Sequence, residues 1–343
     1  MENLKKTTIH DIAEKLNVTA STVSRALNGN PRISENTRKA VLKTARELNY
    51  EPNQIASALR SGRTQLIGML VPNINRAFFS SIIRGVEEVA NSLNYRVIVS
   101  QSNEVFDNEE NAVKAFLNAR VDGIIASIGK NTQHFDHYQQ VLERGLPLVL
   151  FDRTTPSLQT SQVVIDDYQG AYLATSHLIE QGCSKIVHFT TERKIAIYKE
   201  RYRGYTNALE DHGIQMDETL VFSGNLQLED GRSHTKSLME NNKDFDAIFS
   251  ASDYAAMGAM QVLKENGLKI PEDVALIGFL NEPFTSFTDP PLTSVNQFPI
   301  EMGHTAAHLF FNALNSGKKK VVPKKTVLQP ELIVRGSSLK RKL

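Results

Sequence analysis

Beyond residue 65 the chain repeats one pattern, in which short and nearly unbroken apolar runs are separated by stretches of helix length. The runs are LIGMLV (66–71), RVIVS (96–100), DGIIASI (122–128) and PLVLF (147–151), then KIVHF (185–189), TLVF (219–222), DAIFS (246–250) and VALIG (274–278). Helical periodicity fills the gaps near 79–93, 108–120 and 135–144. Strands that are apolar on both faces must be covered on both faces, which makes them a parallel sheet between layers of helices. Eight such strands fit one barrel, one large sheet or two doubly wound sheets. Their grouping in fours, and the DDY turn after VVI (163–165), favour two lobes.

The first 50 residues follow other rules. Thr8 caps a helix over Ile9–Leu16 with Asp11 at its acidic third position, Asn17 suits a left-handed turn, and Thr19 caps a second helix to about Leu27. Asn28-Gly29-Asn30-Pro31 stops the chain, and Ser34 caps a third helix that ends near Asn49, before Pro52. The segments expected are therefore a helical head over 1–50, a linker over 51–63 and an α/β body of two lobes over 64–343.

Charge divides along the same line. Residues 1–63 carry eleven Lys/Arg against six Asp/Glu, whereas the remainder carries 28 against 32, and the chain total of +1 hides the difference. A small basic head on a mildly acidic body suits a phosphate-seeking module joined to a ligand-binding one. No apolar run reaches the ~18–20 residues that cross a bilayer, and MENLKKTTIHD lacks a signal-peptide core. With the single cysteine, Cys183, no internal disulfide can form, and a cytoplasmic location is expected.

TIHDIAEKLNVTASTVSRALNG (8–29) has the spacing of a helix-turn-helix. Ile9, Ile12, Ala13 and Leu16 form one apolar face, Val18 fills the turn, and Val23, Ala26 and Leu27 point inward from the second helix. Ala20, Ser21, Thr22, Ser24 and Arg25 are left outward, where short hydroxyls can approach phosphates and base edges and Arg25 can make a bidentate contact to guanine. Thr8, Thr19 and Asn28, at the helix ends, complete the expected DNA-contact set. NQIASALRSG (53–62) is too short for a stable free helix and would order only when docked, and Leu59 has no core of its own. It either packs on the neighbouring lobe or wedges into a minor-groove base step.

These segments, with DGIIAS (122–127), VLFDR (149–153), RYRGYTNAL (201–209), SASDYAAMGAM (250–260) and IPEDVALIGF (270–279), resemble the LacI/GalR family of bacterial transcriptional regulators in order along nearly the whole chain. The resemblance implies a helix-turn-helix head, a hinge helix and a two-lobed body like a periplasmic sugar-binding protein. It also implies a homodimer on a pseudo-palindromic operator, with a small molecule between the lobes changing operator affinity. By position, Ala20, Ser21 and Arg25 fall on base-facing sites, Asn53 and Ala56 on hinge-helix sites, and Leu59 on the leucine levered into the operator centre. Phe78 and Phe79 fall where the family lines its cleft, Arg201 on the arginine of R-x-x-G-Y, and Asp253 on the acid of S-D-x-x-A-x-G. One departure stands out: after the IPEDVALIG strand, where many members read G-[FY]-D-[DN], this chain reads Gly278-Phe279-Leu280-Asn281, so Asn281 is the candidate to replace a missing carboxylate.

The ligand expected is a sugar or sugar derivative, since carboxylate and guanidinium groups bind hydroxyls and phenyl rings wall a pyranose face. Repression is the expected direction. No cofactor is called for. Nucleophile-elbow, phosphate-loop and dinucleotide motifs are missing, and His304/His308 and His134/His137 supply too few ligands for zinc. ELIVRGSSLKRKL shows no heptads, so a dimer is expected rather than a coiled-coil tetramer. The competing reading is a sugar-binding protein, or sugar-metabolising enzyme, whose head serves only to oligomerise.

Overall fold

Three helices build the head: α1 (Ile9–Lys15), α2 (Ala20–Leu27) and α3 (Glu35–Glu47). Their ends form as the caps dictate. The Thr8 N–H and hydroxyl both donate to Asp11 Oδ2, at 2.7 and 2.8 Å, and the Thr22 and Thr37 N–H groups donate to Thr19 Oγ1 and Ser34 Oγ, each at 3.2 Å. Asn17 takes φ 51° in the turn between the first two helices. Ile12, Ala13, Val23, Ala26, Val41 and Ala45 meet at the centre of the head. The computed structural model describes residues 7–50, 62–192, 195–241, 244–316 and 322–340, so Asn53, Ala56 and Leu59 of the expected hinge lie outside the described residues. The chain divides into two units, Met1–Thr64 and Gln65–Leu343.

The second unit holds two six-stranded sheets. In the first lobe β1 (Leu66–Val71), β2 (Arg96–Gln101), β3 (Ile124–Ala126), β4 (Leu148–Phe151), β5 (Ser161–Ile165) and β11 (Lys325–Leu328) are arranged β11-β5-β4-β3-β1-β2, all parallel. In the second, β6 (Ile186–Thr190), β7 (Val221–Ser223), β8 (Ala247–Ser250), β9 (Ala275–Leu280), β10 (Thr293–Asn296) and β12 (Glu331–Ile333) are arranged β12-β10-β9-β8-β6-β7. Only β10–β12 is antiparallel. Covering the first sheet are α4 (Ala77–Ser92), α5 (Phe106–Asn118), α6 (Asp136–Glu143) and the late helix α11 (Pro299–Asn315). The second is covered by α7 (Asp167–Glu180), α8 (Ala196–Asp211), α9 (Leu228–Glu240) and α10 (Asp253–Glu265).

The chain therefore crosses between lobes three times, after β5, after β10 and after β11. Helix α11 returns to the first lobe to place Met302, Ala306 and Phe310 in one core with Phe78, Ile82 and Val86 of α4. Gly85 and Gly303 permit that approach. A Cβ on Gly303 would strike the Ile82 carbonyl oxygen and lie 3.0 Å from Gly85 Cα.

Eight strands were expected, and among the described residues the two sheets hold twelve between them. The additional ones are short or lie at the lobe crossings. TSVN (β10) is half polar, and KTVL (β11) alternates between exposed and half-buried, so neither reads as a buried apolar run. TLVF (219–222) resolves into a 3₁₀ turn, Glu218–Leu220, followed by the short strand β7.

Candidate functional site

On the head, Ser21, Arg25 and Asn28 are exposed at the surface of α2, Thr22 and Ser24 are half-buried, and Thr8 and Thr19 are exposed at the caps. Thr19 Oγ1 lies 2.8 Å from Ser21 Oγ and 3.0 Å from Thr22 Oγ1, so three hydroxyls cluster at the N-terminal end of α2. Nearby N–H groups and hydroxyls at a helix start suit a phosphate oxygen. Asn28 Nδ2 donates to the Ser24 carbonyl at 2.7 Å, which closes the C-terminal end of the helix. Ala20 departs from expectation. It is half-buried and packs against the head's core from the first turn of α2 rather than pointing fully outward.

In the body, both sheets reverse strand order around their first strand, β1 between β2 and β3 and β6 between β7 and β8. Ligands of open parallel sheets bind beyond the carboxyl ends of the strands at such points. A cavity of about 140 Å³ lies there between the lobes. The first lobe lines it with Asn73 after β1, Glu104 after β2, Lys130 after β3, and Asp152 and Arg153 after β4. The second lobe supplies Thr191 after β6, Asn225 and Gln227 after β7, Ser252 after β8 and Leu280 at the end of β9. Phe78 and Phe79, in edge-to-face contact at 5.1 Å, wall it from α4, and Tyr198 and Arg201 enter from α8.

Apolar walls surround a set of charged groups that brace one another. Arg153 NH1 donates to both Glu104 oxygens at 2.8 Å, and the Lys130 N–H donates to Glu104 Oε2 at 2.7 Å. Burial pushes the Asp152 carboxyl above its ordinary range, against the pull of Arg153 and Arg201. Across the gap Lys130 Nζ donates to Asn225 Oδ1 at 3.0 Å, Arg76 donates to Gln227 Oε1, and the Arg76 guanidinium lies 3.6 Å over the Tyr254 ring. A second cavity, about 320 Å³, shares Asp152, Arg153 and Ile197 with the first and continues toward Tyr168, Arg203 and Lys325. Arg153 is therefore a wall common to both.

Phe78, Phe79 and Arg201 reach the cavity as their positions suggested, although Arg201 is 2 % exposed. Its Nε donates to Asp167 Oδ1 at 2.8 Å and its NH1 to the Ala251 carbonyl at 3.1 Å, and it stacks 3.8 Å over Phe279. Burial pushes the Asp167 carboxyl up to about 6 despite that pairing. Two of the five guanidinium donors are thus occupied internally.

Asp253 and Asn281 do not line the cavity. Asp253 is fully buried; its Oδ1 accepts from the Ser294 hydroxyl at 2.6 Å and its Oδ2 from the Glu282 N–H at 2.7 Å. As the first residue of α10 it points back under the loop after β9, where a Cβ on Gly278 would strike its carboxylate, and its neighbour Ser252 faces the ligand space instead. Asn281, at φ 52°, turns its Oδ1 to Arg335 NH2 at 2.8 Å, so it does not stand in for a ligand carboxylate; Leu280, at φ 118°, occupies the cavity wall itself. Asn73, Glu104, Lys130, Arg153 and Gln227 went unremarked in the sequence. The signal that would have found them is their place just after each apolar run.

The remaining candidates have structural roles. His304 Nε2 lies 2.8 Å from Glu88 Oε2 and His137 Nε2 lies 2.9 Å from Glu109 Oε1. Cys183 is buried, which pushes its thiol up to about 11. Among the described residues no cluster of three or more His, Cys, Asp or Glu could hold a metal, and no helix is long and apolar enough to cross a membrane.

Residues 8–53 match the model of bacterial regulatory proteins of the lacI family, and residues 175–338 match a periplasmic binding protein-like domain. The transcriptional regulator DegA of Bacillus subtilis is 33% identical over 334 residues, 97% of this chain and 98% of its own. A solved complex of the transcriptional regulator CelR with cellobiose is 30% identical, covering 97% of this chain and 100% of that one, with a TM-score of 0.72. The lac repressor dimer on its operator, at 24% identity over 98% and 100% of the two chains, shares the fold with a TM-score of 0.86. These relatives act by binding and not by catalysis, which removes the reading of an enzyme or of a sugar carrier with an idle head. A capped helix-turn-helix joined to two mainly parallel-sheet lobes around a cavity, matched along nearly the full length of known regulators, makes this chain a member of the LacI family of DNA-binding transcriptional regulators.

Proposed function

We propose that the chain is a cytoplasmic repressor whose homodimer holds a pseudo-palindromic operator, and that a carbohydrate or sugar derivative in the interlobe cavity alters its grip. The observation that carries this reading is the cavity itself, built from both lobes at once and lined by hydroxyl-binding groups around the Phe78–Phe79 wall. A ligand touching both lobes changes their relative stability, and only such differential binding shifts a population toward or away from DNA. Ala20, Ser21, Thr22, Ser24 and Arg25 read the operator on this view, with Thr8, Thr19 and Asn28 near the phosphates. Asn53, Ala56 and Leu59 keep the hinge roles that the family resemblance assigns. The exposed Ile98 and Val99 on the edge strand β2 suit burial against a second copy. Relatives extend to a ribose operon repressor and the cellobiose-bound regulator, which supports a sugar as the first class to screen.

The test begins with operator sites selected from random duplex DNA by the full chain, followed by a thermal-shift screen of sugars and sugar derivatives. A sugar that raises the melting temperature and changes operator affinity supports the proposal. A chain truncated before Gln65 should keep the sugar and lose the DNA. Operator binding that survives that truncation, or that ignores every stabilising sugar, refutes it.

A further inference from the structure

We propose that Glu282 is the latch between the two lobes, a carboxylate carried by the second lobe that caps helix α4 of the first and so sets the balance between lobe arrangements. Helix α4 is poorly capped by its own residues. Its N-cap is Arg76, whose side chain makes no capping hydrogen bond, and its first turn contains no acidic residue. The start of the helix therefore presents unsatisfied N–H groups beside a positive charge, an arrangement the helix dipole disfavours. The missing acceptor arrives from 204 residues further along the chain: the Phe78 N–H donates to Glu282 Oε1 at 3.4 Å, and the Ala77 N–H also bonds that carboxylate.

Glu282 is 2 % exposed, unlike the other bridges across the gap, since Arg76–Gln227 and Lys130–Asn225 both lie in solvent. Surface hydrogen bonds of that kind exchange with water at little net cost, whereas a buried carboxylate without its donors is expensive. Burial raises the Glu282 carboxyl, and the α4 N–H groups and Arg76 pull it back.

The second lobe holds Glu282 rigidly. Its own N–H donates to the buried Asp253, the Asn281 N–H donates to Ser294 Oγ at 2.9 Å, and the Asn281 amide is pinned by Arg335. Glu282 follows two places after Leu280, the last residue of β9, and the intervening Leu280 and Asn281 both take positive φ. A motion that parts the start of α4 from the loop after β9 would break this contact, and the helix it caps carries Phe78 and Phe79 of the cavity wall.

Amide hydrogen exchange on the full chain, with no added ligand, tests the latch in E282Q and E282D. The first weakens the acceptor at constant shape and the second keeps the charge but shortens its reach. Peptides spanning 77–82 and 225–228 should exchange roughly 2- to 30-fold faster, the range for a lost helix cap, while the strand peptides 66–71 and 275–279 keep the parent's rates. Parent-like exchange at 77–82 in both variants overturns the proposal. So does uniform acceleration of all four peptides, which would mark Glu282 as ordinary packing.

Discussion

The displacement of Asp253 from the ligand space to the interior can be tested through its proton. With its carboxyl fully buried, its pKa is pushed up to about 7 from the ordinary 3.8, desolvation outweighing the hydrogen bonds from Ser294 and the Glu282 N–H. Between about pH 4 and pH 7 the folded chain keeps a proton that the unfolded chain has released. Stability from this group is therefore complete below pH 4, declines as pH rises through that window, and is flat above it. At 1.36 kcal/mol per unit the portion lost between pH 5 and pH 8 is about 2–3 kcal/mol. Urea unfolding of the parent and of D253N, followed by circular dichroism at pH 5, 6, 7 and 8, reads that difference directly. Asn cannot titrate but can still accept the Glu282 N–H, so D253N should lose less stability than the parent across the range by about that amount. The other buried acids are common to both proteins and cancel. If the two slopes coincide, the carboxyl ionises normally, and Asp253 is the solvated ligand group that its motif suggested.

Three further outcomes follow from the site and the fold. Arg25→Ala should cost about 1–3 kcal/mol of operator binding, concentrated at particular base pairs in a panel of single-substitution operators, and a uniform loss would make Arg25 a phosphate contact. Arg153→Leu should weaken a sugar identified by thermal shift by roughly 10- to 100-fold in calorimetry, since it removes charged donors from the cavity and strands Glu104, and an unchanged Kd would move the site elsewhere. Gly303→Ala should lower stability by about 1–3 kcal/mol, because its methyl meets the Ile82 carbonyl oxygen where α11 packs on α4; an unaltered melting temperature would deny that close approach.

Local signals settled much of this protein. Thr8, Thr19 and Ser34 start their helices because a hydroxyl before an apolar-periodic run satisfies N–H groups that have no other partner. Most of the apolar runs made strands because a sheet covered on both faces hides them, whereas the edge strand β2 leaves Ile98 and Val99 exposed. Arg201, through its R-x-x-G-Y motif, and Phe78, through its position after the first strand, were placed by resemblance where the cavity lies. By contrast, the partners of Asp253 and Asn281 come from Ser294 and Arg335, 41 and 54 residues away, and no local pattern announces them. Glu282 offers no sequence signal at all, for its acceptor role depends on a helix in the other lobe. The polar strands β10 and β11 likewise exist only because a neighbour supplies their hydrogen bonds.

The sequence by itself therefore determined the helical head, the α/β character of the body and the family, since each rests on caps, periodicity and spacing within a few turns of chain. Which carboxylates face a ligand and which brace the fold was decided only by the tertiary structure, because burial and hydrogen-bond supply are set by residues that meet only after the chain has crossed between its lobes three times.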